Sequence, residues 1–409
     1  MRLLVGADRV RAPRGRESLA AQTIVEPHDA EEIVEIVRRC EADTLPLAPL
    51  GAGRTLAEIR RTPVALGLAF THLDRLVGYE PEDMTVIVEP GMTLGALNAH
   101  LAAHGQHLPI DPPDPGATTI GALLGAAHCG PLRLSEGTPR DLLIGVRFVG
   151  HGGRLVHGGG RVVKNVAGYD LMKVMTGSFG TLGVITEATL KVRPIPQGYT
   201  IAAAPHTRAD DAFAAAVKLH DALPLVHVEA LSPALAARFD YPGAFLLLAG
   251  IAGNAPELAD QRDRIAELAG TAADFADGER AREIYARLRD IGFDQTTLVA
   301  QLATPPAELG RCVQACGTEF RAHAASGVAQ IFESAAKGVV DARDTVARWR
   351  QAAHAAHGHL RLLAAAPELR PHLDFFDEPP SGALRLMRRL KATFDPAGIF
   401  NPGCFVAEM

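Results

Sequence analysis

The chain has 409 residues, 47% of them hydrophobic, with 41 Lys and Arg against 47 Asp and Glu for a formal net charge of −6. That length accommodates two separately cored domains. The lack of a basic stripe argues against a nucleic-acid partner, and no apolar run nears the ~20 residues of a membrane span. The N-terminus, MRLLVGADRVRAPRGRES, carries charge but no apolar core followed by a cleavage site, so no secretory signal is expected. Of the five cysteines, Cys312 and Cys316 lie one helical turn apart, while Cys40, Cys129 and Cys404 are scattered. No second pair completes a metal site and no four cluster for iron and sulfur, which fits free thiols in a reducing cytoplasm.

In chain order, residues 1–19 read as an extension. Asp29 can cap a helix running to about Glu41, with Ile33, Ile36, Val37 and Cys40 on one face. A strand over 44–49 leads into the turn Gly51-Ala52-Gly53, and a second strand over 84–89 ends at Pro90-Gly91. A helix from Thr93, striped by Leu94, Leu97 and Leu101, stops at Gly105. The stretch 111–121 is rich in Pro, Gly and Thr and reads as loop; strands over 142–149 and 154–157 flank the turn His151-Gly152-Gly153. After Pro194-Ile195-Pro196, helical segments (210–223, 257–268, 279–288, 307–323, 341–357) alternate with short strands (200–204, 226–231, 244–251, 297–302, 328–333). This second half reads as an α+β domain whose sheet is covered by helices.

Three loops carry the chemistry. In Pro49-Leu50-Gly51-Ala52-Gly53-Arg54-Thr55, successive N–H groups after a strand can form an anion nest. A Rossmann fingerprint fails there because Leu56 occupies the third glycine position, and an ordinary tight turn fits the GxG equally well. The loop 111–141 offers Thr118 and Thr119 hydroxyls, small residues at Gly121, Ala122, Gly125 and Ala126, and a cation at Arg140, a donor set suited to a pyrophosphate. The block KNVAGYDLMKVMTGSFGTLGVITEATLKVRP, residues 164–194, places Gly177, Gly180 and Gly183 just before a strand with Val184, Thr186, Ala188 and Leu190 on one side and Glu187 and Lys191 on the other. Near the C-terminus, Phe394-Asp395-Pro396 precedes Asn401-Pro402-Gly403.

That last block, with Thr119-Ile120-Gly121-Ala122 and the Asn401 turn, resembles the vanillyl-alcohol-oxidase, or PCMH-type, flavoproteins, and among them the FAD-binding subunits of bacterial glycolate oxidases. The resemblance spans most of 20–196 and 381–405 and fades across the middle. It implies an α+β architecture: a two-subdomain FAD-binding domain over 20–196, a smaller cap domain over 197–380 with an antiparallel sheet covered by helices, and a segment over 381–409 returning to the FAD domain. It also implies FAD contacts at Leu50, Gly51, Ala52, Gly53, Arg54, Thr55, Thr118, Thr119, Gly121, Ala122, Arg140, Ile185 and Asn401. Some members attach flavin through a histidine in the first turn; Arg54 stands after Gly53 here, so FAD is expected to be noncovalent. His128 and Cys129 match no attachment pattern.

The implied reaction is oxidation of a small 2-hydroxy acid, glycolate to glyoxylate, in a complex with a catalytic flavoprotein sister subunit and an iron–sulfur subunit. The implied location is the cytoplasm, with any approach to the inner face of the membrane made through partners. Catalytic subunits of the related 2-hydroxy-acid dehydrogenases carry a His-x-Gly-Asp-Gly-Asn-x-His string in the later domain. That string is absent, and its nearest counterpart is His354, His357 and His359 at a helix end. No metal site is expected and no catalytic residue is assigned. The alternative is an autonomous FAD-dependent enzyme for another hydroxy acid or alcohol, using polar groups such as Lys164, Asn165, Tyr169 and Asp170.

Overall fold

The computed structural model describes residues 1–51, 62–160, 169–291, 298–334 and 338–409. The chain divides into two compact units, one of Met1–Cys129, Thr138–Ile195 and Glu378–Met409, the other of Gly130–Gly137 and Pro196–Asp377.

In the first unit, strands β1 (Ala21–Val25), β2 (Leu47–Leu50) and β3 (Val64–Ala69) form a parallel sheet with β3 central, and the short strand Val10–Arg11 adds antiparallel to β1. Parallel neighbours need a crossover, and the helix Ala30–Ala42 supplies it between β1 and β2. Its N-cap Asp29 accepts from the Glu32 N–H, and Ile33, Val34, Ile36, Val37 and Cys40 are buried. A second, antiparallel sheet runs β4 (Leu76–Glu80), β5 (Thr85–Val88), β8 (Val184–Lys191), β6 (Leu143–Gly150), β7 (Arg154–Gly159) in spatial order. The strand read as alternating is this central β8. Ile185 and Thr189 are buried along with Val184, Thr186, Ala188 and Leu190, because the strand is covered on both faces; only Lys191 is exposed. The loop read over 111–141 contains a helix, Ile120–Ala126, capped by Thr119 and burying Ile120, Leu123 and Leu124.

In the second unit, eight antiparallel strands are ordered β12-β9-β11-β10-β14-β15-β13-β16: β9 Gly198–His206, β10 His227–Leu231, β11 Phe245–Gly253, β12 Asp274–Asp277, β13 Leu298–Ala303, β14 Glu319–His323, β15 Val328–Glu333 and β16 His359–Ala365. Helices Ala209–Ala222, Ala255–Leu268, Gly278–Asp290, Pro306–Cys316 and Val339–Ala355 accompany it. The helix expected over 307–323 is shorter. It stops at Gly317, whose φ of 63° is left-handed, and the chain re-enters the sheet as β14. Phe320, Arg321, Ala322 and His323 are all buried there, so tertiary burial on two faces overrides the helical spacing. Strand β16 was hidden for the same reason, its Leu360, Leu362 and Ala365 being buried.

No described helix is long and apolar enough to cross a membrane, and none of the five cysteines forms a disulfide. The helix Ile120–Ala126 ends on Ala127 at φ 52°, ψ 42°, a left-handed cap that costs a residue with a Cβ about 1 kcal/mol. Ala127→Gly should therefore raise stability by roughly 0.5–1 kcal/mol, read as a higher urea midpoint; an unchanged or lower midpoint would contradict this account of the cap.

Candidate functional site

A concave, mostly apolar cleft opens within the first unit, the kind of surface that small-molecule and cofactor sites use. The end of β2 supplies Pro49, Leu50 and Gly51; Phe70 and Pro90 follow β3 and β5; Gly121, Ala122, Gly125 and Ala126 line it from the Thr119-capped helix. The opposite wall is the turn before β8, through Ser178, Phe179, Gly180, Gly183 and Ile185. The lining is small or apolar, so the backbone is what a ligand would meet. Ser178 is the polar exception: its hydroxyl is buried and has no hydrogen-bond partner among the described residues.

Three of the glycines permit wall-to-wall contact. A Cβ on Gly51 would sit 2.4 Å from Thr119 Oγ1, one on Gly121 2.8 Å from Pro90 Cβ, and one on Gly180, at φ 68°, 2.4 Å from Pro49 Cγ. Gly125 differs, with nothing within 4 Å of its Cβ position. It is the glycine whose missing side chain leaves room in the cleft.

Of the sequence candidates, Leu50, Gly51, Gly121, Ala122 and Ile185 therefore come together around one cavity. Ala52, Gly53, Arg54 and Thr55 lie outside the described residues, as do Lys164 and Asn165. Thr119 Oγ1 accepts from the Ala122 N–H at 3.3 Å, and Thr118 Oγ1 donates to the Pro113 carbonyl at 2.9 Å, so both hydroxyls shape the loop. Arg140 is exposed on the one-turn helix Pro139–Leu142 and does not line the cleft. Asn401 is fully buried behind the far wall, its Nδ2 donating to the Phe179 carbonyl. Tyr169 is 90% exposed, and Asp170 caps the helix Leu171–Met175. Phe70, Pro90, Ser178 and Phe179 were not singled out; Ser178 and Phe179 were detectable by their place between Gly177 and Gly180, whereas Phe70 follows a strand that left no pattern.

The second unit holds a buried polar stripe on one face of its sheet. Glu229 on β10 lies opposite His323 on β14, with Oε1 and Nδ1 2.6 Å apart and both side chains at most 3% exposed. Burial pushes the Glu229 carboxyl up to about 8, against the pull of Arg321 and Arg133. Its Oε2 has no partner. Two residues earlier, His227 Nε2 meets Tyr199 Oη at 2.7 Å, and burial, helped by His323, lowers its pKa to about 3. Arg321 reaches the Leu288 carbonyl and, at 2.6 Å, Gln330 Oε1. Among the described residues no three metal-ligating side chains converge; His354 instead meets Asp377 at 2.7 Å.

Comparison with known proteins places these features. Residues 21–159 match the FAD binding domain, and residues 377–404 match the C-terminal domain of FAD linked oxidases. Among curated relatives, the mitochondrial cytochrome-type D-lactate dehydrogenase of Arabidopsis thaliana is 38% identical over 44% of this chain and 31% of its own length. Glycolate oxidase subunit GlcD of Bacillus subtilis is 34% identical over 42% and 37%, and subunit GlcE of Escherichia coli 34% identical over 41% and 48%. The chain thus matches between about a third and a half of the length of these relatives. A solved alkyldihydroxyacetonephosphate synthase superposes with a TM-score of 0.68 at 17% identity, covering 93% of this chain and 76% of that one, which shows a shared fold.

A glycine-walled cleft inside an FAD binding domain makes this a flavoprotein with FAD as its cofactor. Residues 21–159 and 377–404 thus carry the FAD binding domain and the C-terminal domain of FAD-linked oxidases. The residues present fit the cofactor: the open Cβ position at Gly125 leaves space, and the unpartnered Ser178 hydroxyl supplies a polar contact.

Two outcomes test this geometry. A Cβ at Gly125 would meet no described atom within 4 Å, so Gly125→Leu should extend into the cleft and strip FAD while leaving the apoprotein's unfolding midpoint within a few degrees; FAD content by absorbance, with calorimetry beside it, decides. For Glu229 the folded pKa is raised, so its contribution is complete below about pH 4.5 and is lost as pH rises through about 8. Unfolding free energy should then fall across that window with a slope of up to ~1.4 kcal/mol per pH unit from this group, and Glu229→Gln should flatten it. Parallel pH profiles for both proteins would refute the buried neutral carboxyl.

Proposed function

We propose that this chain is the FAD-bearing subunit of a glycolate oxidase-like complex that oxidises a small 2-hydroxy acid. The cleft carries the reading: the walls before β8 and after β2 enclose it, and the relative that is similar over the largest share of its own length among those described is glycolate oxidase subunit GlcE. Residues 20–196 with 381–409 would form the FAD-binding domain and 197–380 the cap. Leu50, Gly51, Gly121, Ala122 and Ile185 would hold noncovalent FAD, with Ala52 to Thr55 continuing the first turn, Thr118, Thr119 and Arg140 serving the pyrophosphate side, and Asn401 acting from behind. Bound FAD supplies two-electron acceptance from the α-carbon of the hydroxy acid. The scattered cysteines give the chain no cluster of its own, which supports onward electron transfer to an iron–sulfur partner beside a catalytic sister subunit. The absence of a His-x-Gly-Asp-Gly-Asn-x-His string from the sequence supports a division of labour in which a sister chain holds the substrate. The complex would work in the cytoplasm, meeting the membrane only through partners.

The similarity to D-lactate dehydrogenases favours a second reading, an autonomous FAD-dependent dehydrogenase of another 2-hydroxy acid. The visible spectrum of the purified chain separates the two. Flavin bands that persist under anaerobic glycolate and D-lactate, and bleach only once the sister and iron–sulfur chains are added, are expected. Bleaching of the isolated chain by D-lactate would establish the second reading, and a colourless preparation that takes up no added FAD would sink both.

A further inference from the structure

The C-terminal segment of the first unit makes a set of contacts that sequence similarity leaves without a purpose. Lys391, on the helix Ser381–Phe394, is largely buried. Its Nζ donates to the Thr181 carbonyl at 2.8 Å, the Phe400 carbonyl at 2.9 Å and Asp395 Oδ2 at 2.5 Å. Asp395, whose side chain is sealed from solvent, accepts from the N–H groups of Ile399 and Phe400, both at 3.0 Å. The turn so formed lies along β2: Leu47 donates to the Ile399 carbonyl at 2.9 Å, and Asn401 donates its own N–H to the Leu47 carbonyl at 2.7 Å. Asn401 Nδ2 then reaches across to the Phe179 carbonyl.

Four of these bonds, to Thr181, Phe179 and both backbone groups of Leu47, end on one wall of the cleft or on the strand that leads into it, and the others hold the C-terminal turn together. Thr181 and Phe179 belong to the turn before β8, and Leu47 begins the strand that delivers Pro49, Leu50 and Gly51. The two walls meet where Gly180 lies against Pro49. Nothing in the turn before β8 is regular secondary structure, so its position depends on bonds from outside it.

We propose that Lys391 and Asn401 are positioning residues for the flavin: the C-terminal turn ties both walls of the cleft to one point and so sets the width available to the cofactor. This rests on the reading that FAD occupies the cleft. Neither residue lines the cavity; they act through the carbonyls of Thr181 and Phe179.

The test compares full-length apoproteins, wild type against Lys391→Met, Lys391→Arg and Asn401→Asp, titrated with FAD and followed by quenching of flavin fluorescence. The unfolding midpoint of each apoprotein is measured alongside. Lys391→Met removes three charge-assisted bonds and Asn401→Asp removes one donor at constant size. Both should weaken FAD binding by about tenfold or more. Lys391→Arg, which keeps charge and donors, should stay within about threefold of wild type. If Lys391→Met does not fold, the isosteric Asn401→Asp decides. Wild type that binds no FAD defeats the underlying reading. Wild type that binds FAD while Asn401→Asp and any folded Lys391→Met bind it equally well defeats the proposal alone. Affinity losses that merely track the apoprotein midpoints, with no rescue by Lys391→Arg, would also overturn it and make Lys391 a folding residue.

Discussion

An ammonium group taken out of water organises the first unit. Lys391 sits beneath the cleft with three oxygen acceptors around its Nζ. Burial lowers its pKa and the bond to Asp395 opposes that shift. A charge in such a place is tolerated only where its donors are satisfied, and the satisfying atoms come from three separate stretches of chain. The cation therefore forces the turn before β8, the end of the last long helix and the Asn401 turn into one arrangement. The sealed carboxylate of Asp395 spends its remaining capacity on the N–H groups of Ile399 and Phe400, which aligns that turn with β2.

The cleft inherits its shape from this arrangement and from close packing. Glycine is needed at Gly51, Gly121 and Gly180 because a neighbouring loop occupies the space a Cβ would take. Gly91 shows the same constraint one layer back, where a Cβ would fall 2.0 Å from the Phe70 carbonyl. The walls are thus pressed together around their rims, and an extended ligand would find room only where a position such as Gly125 is left open. An apolar, backbone-lined cleft suits a flat cofactor that is gripped by shape and a few donors, with Ser178 as the buried donor in hand.

The second unit solves a different problem. Its sheet carries Glu229, His323, Arg321 and Gln330 on one face, directly paired across β10, β14 and β15. Buried ionisable groups of this kind are costly unless hydrogen-bonded, and Glu229 Oε2 is left without a partner among the described residues. Here Glu229 and His323 are hydrogen-bonded to each other, while Arg321 is engaged by Leu288 and Gln330. The helix Arg133–Glu136, contributed from the middle of the N-terminal half, belongs to this unit, and the Arg133 charge bears on Glu229. Among the described residues this polar face holds no set of metal ligands.

The sequence alone was enough for the FAD binding domain and its cofactor, because short glycine-rich strings record the backbone geometry that a flavin domain requires. Leu50, Gly51, Gly121, Ala122 and Ile185 were legible in this way. Capped helices such as Ala30–Ala42 were legible too, since an Asp cap and a 3.6-residue apolar stripe are local signals. What stayed hidden depended on contacts distant in the chain. The strand β14 was concealed inside an apparent helix because its burial comes from both sides of the sheet, and the network of Glu229 and His323 arises from a register between strands 94 residues apart. The place of Asn401 behind Phe179, and of Lys391 beneath Thr181, spans more than 200 residues of sequence separation. Sequence by itself determined what kind of molecule this is, because the required turns are written locally; only the tertiary structure decided which polar groups are buried together, because burial is a property of neighbours that the chain brings from elsewhere.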